Sequence, residues 1–262
     1  MNELTPIDHA HFSMTSEENN PVARLEFYER ISDAELFILL ENEPAGETIE
    51  PRIFPVEGEK YVLVFDREER LAEFSGSIVP YAALSGRALA GMLAGQGIGL
   101  GVNLDVAPSS ILIPPVAVKW LATMSGAEPV EEQDTPLEFG SPHQIPEAVL
   151  KSLDTKLVMT GALAKSAYLV STRYKSGHRG HLLGFVDAVD GSQLTISRSV
   201  AEALVFSGVE LGAIDVAFFA RHDPVCAKLA KVGLRFDLPE HSADARKPKA
   251  PGMDPENPPR LR

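Results

Sequence analysis

The chain carries one cysteine, Cys226, which excludes an internal disulfide and fits a reducing cytoplasm. Long apolar runs are missing: none approaches the roughly 20 residues that a membrane helix needs. The opening MNELTPIDHAHF is polar and acidic, so it does not read as a signal peptide. Basic residues are scarce, 24 against 37 acidic ones, a net charge of −13. That balance speaks against nonspecific nucleic-acid binding and against adsorption to an anionic membrane. Catalytic signatures are missing too. There is no GxSxG elbow, no GxxxxGK[ST] phosphate loop and no HExxH helix.

At 262 residues the chain has room for one large or two modest domains. Its charge is unevenly placed. Residues 1–125 have 8 basic and 19 acidic side chains, and residues 126–140 have five acids and no base. Residues 141–240 are nearly balanced, with 11 basic and 10 acidic, and the tail from His241 has a small basic excess. The acidic, proline-rich stretch 127–144 therefore reads as a linker. It divides a domain over 21–126 from a second over 145–240. Residues 1–20 read as a flexible arm, and 241–262 as a disordered tail too poor in apolar residues to order itself.

The most unusual stretch is Tyr81 to Pro115, YAALSGRALAGMLAGQGIGLGVNLDVAPSSILIPP. Leu84, Ala88, Gly91 and Gly95 fall at helical spacing and leave one face nearly flat. Gly95, Gly97, Gly99 and Gly101 then alternate with larger residues at strand spacing. Four glycines on one strand face call for close approach of another layer. A phosphate cradle is the alternative, but such a loop precedes its helix, whereas here the glycines follow it.

The segment AGMLAGQGIGLGVNLDVAPSSILIPPVAVKWL, with ISDAELFILLE, PRIFPVE and VLVFDREERLAEFSG before it, resembles the N-terminal domain of the SseB (enhanced serine sensitivity) family. The resemblance covers about Val22 to Met124. A looser one, to the family's C-terminal domain, covers about Ile145 to Pro239 and is best at IDVAFF and DPVCAKLAKVGLRF. It implies a cytoplasmic bacterial protein of two such domains, with a loose link to serine tolerance, and it brings no catalytic residues.

Local signals supply the elements. Asn20-Pro21 opens a helix, as a cap followed by proline at its first position. Asp66 with Glu69, and Ser199 with Glu202, read as capping pairs. Ile49 to Val56 and Tyr61 to Phe65 form a hairpin-like pair about Glu57-Gly58, and Ala167 to Tyr174 pairs with His181 to Val189. The helix from Pro115 is expected to bury Val116, Trp120 and Met124. Asp223-Pro224 starts another helix. The fold class expected is α+β, two domains, each a small mostly antiparallel or mixed sheet covered by helices.

Two sets of polar residues stand out. Arg52, Tyr81, Arg87, Gln96, Asn103, Asp105, Ser109 and Ser110 surround the glycine strand. They read either as caps and buried hydrogen-bond partners or as one surface for a peptide or small polar molecule. Arg173, Lys175, His178, Arg179 and His181 gather at a hairpin turn, as a solvated turn, an anion site or a dock for the acidic first domain. His178 and His181 lack the one-face geometry of a metal pair, and Cys226 reads as a structural thiol. No metal or cofactor is expected. The function favoured is a non-catalytic adaptor or regulatory module with a protein partner. The alternative is a protein that binds or senses a small polar ligand such as an amino acid.

Overall fold

The computed structural model describes residues 3–17, 19–43, 49–125, 134–160, 163–209 and 214–239. The expected tail and most of the acidic half of the linker lie outside them. The protein is α+β and built in two lobes around two mixed sheets.

The first lobe runs α1 (Pro6–Ser16), α2 (Pro21–Asp33), β1 (Glu35–Leu39), β2 (Ile53–Val56), β3 (Glu59–Phe65), α3 (Glu68–Ser75), β4 (Tyr81–Ser85), α4 (Gly86–Leu93), β5 (Ile98–Val102), β6 (Ile111–Ile113) and α5 (Pro115–Ser125). Its sheet has the order β4-β1-β3-β5-β6, with β2 also on β3. β3 and β5 are parallel, from Lys60↔Ile98 to Val64↔Val102, and the other pairings are antiparallel. Both faces of β3 are buried, which explains its unbroken YVLVF. Val62 and Val64 join Phe27, Ile31 and Leu121 under α1, α2, α4 and α5, while Leu63 and Phe65 face Leu71 of α3.

The second lobe runs β7 (Pro136–Gly140), α6 (Glu147–Thr160), β8 (Ser166–Tyr174), β9 (Arg179–Val186), α7 (Gln193–Phe206), β10 (Ile214–Phe219), α8 (Pro224–Val232) and β11 (Leu234–Asp237). The order is β10-β9-β8-β11, with β7 also on β8. β9 and β10 form the parallel pair. α6 and α7 cover one face through Leu153, Leu157 and Val200, and α8 covers the other through Leu229.

The lobes share a core. Phe206 of α7 is buried with the first lobe's residues, its ring edge-on to Trp120 at 6.1 Å. Burying a side chain of that size contributes about 1.5–3 kcal/mol.

Several sequence expectations need correction. The arm holds a true helix, α1: Thr5 accepts from the Asp8 amide, Asp8 accepts from the Thr5 amide, and Ile7 and Ala10 are buried. The glycine stretch opens with a strand, because Tyr81–Ser85 pairs along all of β1, and the expected helix follows only from Gly86 to Leu93. That junction is tight: a Cβ on Gly86 would lie 1.8 Å from the Ile31 carbonyl oxygen. Of the four alternating glycines, only Gly99 and Gly101 lie in the strand. A Cβ on Gly99 would fall 2.5 Å from the Ile113 carbonyl oxygen and 2.6 Å from the Tyr61 ring. Gly95 and Gly97 are in a turn with positive φ and open space beside them. Close approach therefore explains two of the four.

Asp66 does not cap α3, whose N-cap is Arg67 with no side-chain bond. Ser199 and Glu202 lie inside α7, which starts at Gln193. Of the three residues expected to be buried by α5, Val116 is exposed while Trp120 and Met124 are half-buried against the core, and Val118 and Leu121 are fully buried instead. The linker region contributes β7, paired to β8 from Pro136↔Tyr174 to Gly140↔Ser171. Asn20 and Asp223 cap their helices as the sequence indicates.

Candidate functional site

Three polar constellations emerge, two of them closed and one open. The first sits where β3 and β5 end side by side. Asp66 follows β3 and Asn103 follows β5, with Asn103 in the left-handed region at φ 48°. Asn103 Oδ1 accepts from the Asp66 amide at 3.1 Å, and Asn103 Nδ2 donates to Ser109 Oγ at 2.9 Å. With its oxygen engaged as an acceptor, Ser109 donates its own proton to Asp8 Oδ1 at 2.6 Å. Arg70, one turn into α3, donates to both oxygens of Asp8, at 3.1 and 2.5 Å, and to Asp66 Oδ1 at 2.8 Å. Thr5 Oγ1 donates to Asp66 Oδ2 at 2.5 Å. The Arg70 and Asp8 side chains are 3% and 0% exposed. Burial alone would push the Asp8 carboxyl up. The hydrogen bonds from Arg70, Ser109 and the Thr5 amide, with the Arg70 charge, outweigh it and hold the group well below the usual range. His11, on the same helix, is shifted down by burial against the opposing Asp8 charge.

The second constellation lies between the lobes. Lys156 of α6, 3% exposed, reaches across to Asp33 of α2 at 2.6 and 2.8 Å. It also lies 3.7 Å from Glu29 of α2 and 3.2 Å from Glu202 of α7. Arg87 of α4 bonds Asp33 at 3.0 Å and Glu202 at 2.7 Å. Glu29 Oε1 and Glu202 Oε1 are buried with no hydrogen-bond donor. Burial raises the pKa of both glutamates, against the attraction of Lys156.

The third is a groove in the second lobe of about 610 Å³, open to solvent between β7 and the ends of β8 and β9. Glu138, Phe139, His143, Arg173, Arg179 and His181 are among the residues that line it, with His178. Glu138 pairs with Arg173. His178 stacks on Tyr174 at 6.1 Å, and His181 Nε2 lies 3.1 Å from the His143 carbonyl oxygen. Burial lowers the His181 pKa, so its ring is held neutral more readily than a free imidazole.

The eight polar residues singled out in the first lobe therefore do not form one surface. Asn103, Asp105, Ser109 and Ser110 come together, the Asp105 amide bonding Ser110 Oγ at 3.3 Å. Arg87 joins the inter-lobe cluster. Arg52 pairs with Glu41, Tyr81 donates to Glu68, and Gln96 donates to the Met92 carbonyl. Of the five at the second-lobe turn, Arg173, His178, Arg179 and His181 line the groove, and Lys175 bonds Thr135 through its backbone. Among the described residues, the ion pairs that cross between the lobes come instead from Arg87, Lys151 and Lys156.

Sequence reasoning missed Asp8, Arg70, Lys156 and His143. A signal existed for Asp8, since Thr5-Pro6-Ile7-Asp8 has the form of a capped helix start. Arg70 and Lys156 gave none, because their partners are far away in the chain. Cys226 donates to the Ala220 carbonyl, and burial raises its pKa, which disfavours a reactive thiolate. Among the described residues no cluster of three or more His, Cys, Asp or Glu could hold a metal. Among them also, no helix is long and apolar enough to cross a membrane.

Residues 13–120 match the SseB protein N-terminal domain. The SseB match thus spans the first sheet from β1 to β6 and ends within α5, leaving the second lobe outside it. It takes in Asp66, Arg70, Asn103 and Ser109, but not Thr5 or Asp8. No curated protein and no solved structure matches the chain.

Proposed function

We propose that this chain is a non-catalytic protein of the SseB family, and that its second lobe receives an acidic segment of another protein. The observation that carries the reading is the groove lined by His143, Arg173, His178, Arg179 and His181, in a protein whose net charge is −13. Arg173 and Arg179 supply the groove's fixed positive charge, the first shared with Glu138, and on an acidic background that charge attracts a carboxylate. Phe139 in its lining offers an apolar contact to an adjoining side chain. The lobe that matches the family is strongly acidic and supplies a scaffold, with Phe206 and Lys156 fixing the second lobe to it. With the family reading come a cytoplasmic bacterial setting and the link to serine tolerance. The second reading, binding of a small polar ligand, draws on the Asn103–Ser109 region, where four of the eight polar residues converge.

The test is affinity capture with the full chain and with an Arg179→Glu, His181→Glu double variant, followed by mass spectrometry. The wild type should return one stoichiometric protein through an acid-rich segment, and the variant should lose at least nine-tenths of it. Equal recovery by both, or recovery of a metabolite and no protein, contradicts the reading.

A further inference from the structure

The Asp8 carboxylate accepts four hydrogen bonds, from Arg70 twice, from Ser109 and from the Thr5 amide. Three of these come from the domain that matches the SseB family, while Asp8 is delivered by a helix whose first half precedes that domain. We propose that Arg70 and Ser109, at the carboxyl ends of β3 and β5, form a binding site for the carboxylate of a small organic acid, and that Asp8 is its occupant in cis.

Position is consistent with this, because in doubly wound α/β sheets ligands lie beyond the carboxyl ends of parallel strands, and this mixed sheet has one such pair. β3 and β5 are the parallel pair of this sheet. The donors are fixed before any ligand arrives. Asn103 holds the Ser109 oxygen as an acceptor, so the hydroxyl proton points at the carboxylate. Asn103 itself keeps a left-handed backbone, a conformation that persists where the surroundings enforce it. The depressed Asp8 pKa agrees with a site that favours the ionised acid in spite of burial.

Exchange does not strand the arginine. Asp66 stays bonded to Arg70 when Asp8 leaves, so the guanidinium is never buried without an anion. Access requires α1 to move, since Asp8 and Ser109 are fully covered. The helix is held by Ile7 and Ala10 in the core and by the Asp8 bonds, so a competing carboxylate weakens its attachment directly.

Acetate is the probe, used with the full chain against chloride at equal ionic strength. In Asp8→Ala, acetate should raise the thermal midpoint by about 3 °C or more, and it should not do so in Asp8→Ala, Arg70→Met. Should the variants fail to fold, hydrogen exchange on the wild type replaces them: acetate should speed exchange of the α1 amides several-fold and leave β3 unchanged. No acetate-specific shift in Asp8→Ala, an equal shift in the double variant, or unchanged α1 exchange overturns the proposal.

Discussion

Two buried ion clusters hold this protein together, and they treat their carboxylates in opposite ways. Asp8 and Glu29 are both nearly inaccessible, and each faces a buried cation, Arg70 or Lys156. Asp8 is shifted strongly down, whereas Glu29 and Glu202 are shifted up. The glutamates lie deeper in the protein than Asp8, and they also have fewer donors. Both Asp8 oxygens are bonded, while Glu29 and Glu202 each leave an oxygen with none. Desolvation acts on every buried carboxyl, and directed hydrogen bonds and opposite charges work against it. The Asp8 cluster fastens α1 within one lobe. The Lys156 cluster crosses between lobes, with three carboxylates around Lys156 and Arg87.

The comparison is broken most severely by Arg70→Met. It leaves Asp8 and Asp66 buried without their cation, and the loss should be about 3–5 kcal/mol in urea unfolding at pH 7. A smaller effect of opposite sign is expected from Glu29→Gln. Its raised pKa means that Glu29 contributes stability below its unfolded value and loses it as pH rises through the folded value. Removing the charge should therefore stabilise the protein by about 1 kcal/mol at pH 7 and by little at pH 4, read as a pair of urea midpoints. Asp8 has the reverse dependence: its stabilisation is full above the unfolded carboxylate value and is lost progressively as pH falls from that value through the folded one.

The α+β class and most strands and helices were legible in the sequence, because periodicity and capping are local. The YVLVF run, the Asn20-Pro21 start and the Asp223-Pro224 start carried their own signals. The glycine stretch misled where pairing overrode spacing. The helical spacing begins at Leu84, but β1 offers Tyr81–Ser85 a complete ladder, and the helix holds only from Gly86. Asp66 resembles a cap, yet Arg70 and Thr5 claim its oxygens. The clusters were not legible. Lys156 meets Asp33 across 123 positions and Arg70 meets Asp8 across 62, separations that no local pattern encodes. The basic turn of the second lobe was visible as a group. His143, which completes the groove with it, lies in the stretch read as linker.

The most direct measurement is a carboxyl-carbon NMR titration of the full chain between pH 4 and 8, with Asp8, Glu29 and Glu202 assigned by substitution. Asp8 should show no titration step in that range, while at least one of Glu29 and Glu202 should titrate above the ordinary glutamate value. A titrating Asp8, or two glutamates already fully ionised at pH 4, would contradict the claim that the donors around Asp8 outweigh its burial while those around the deeper glutamates do not.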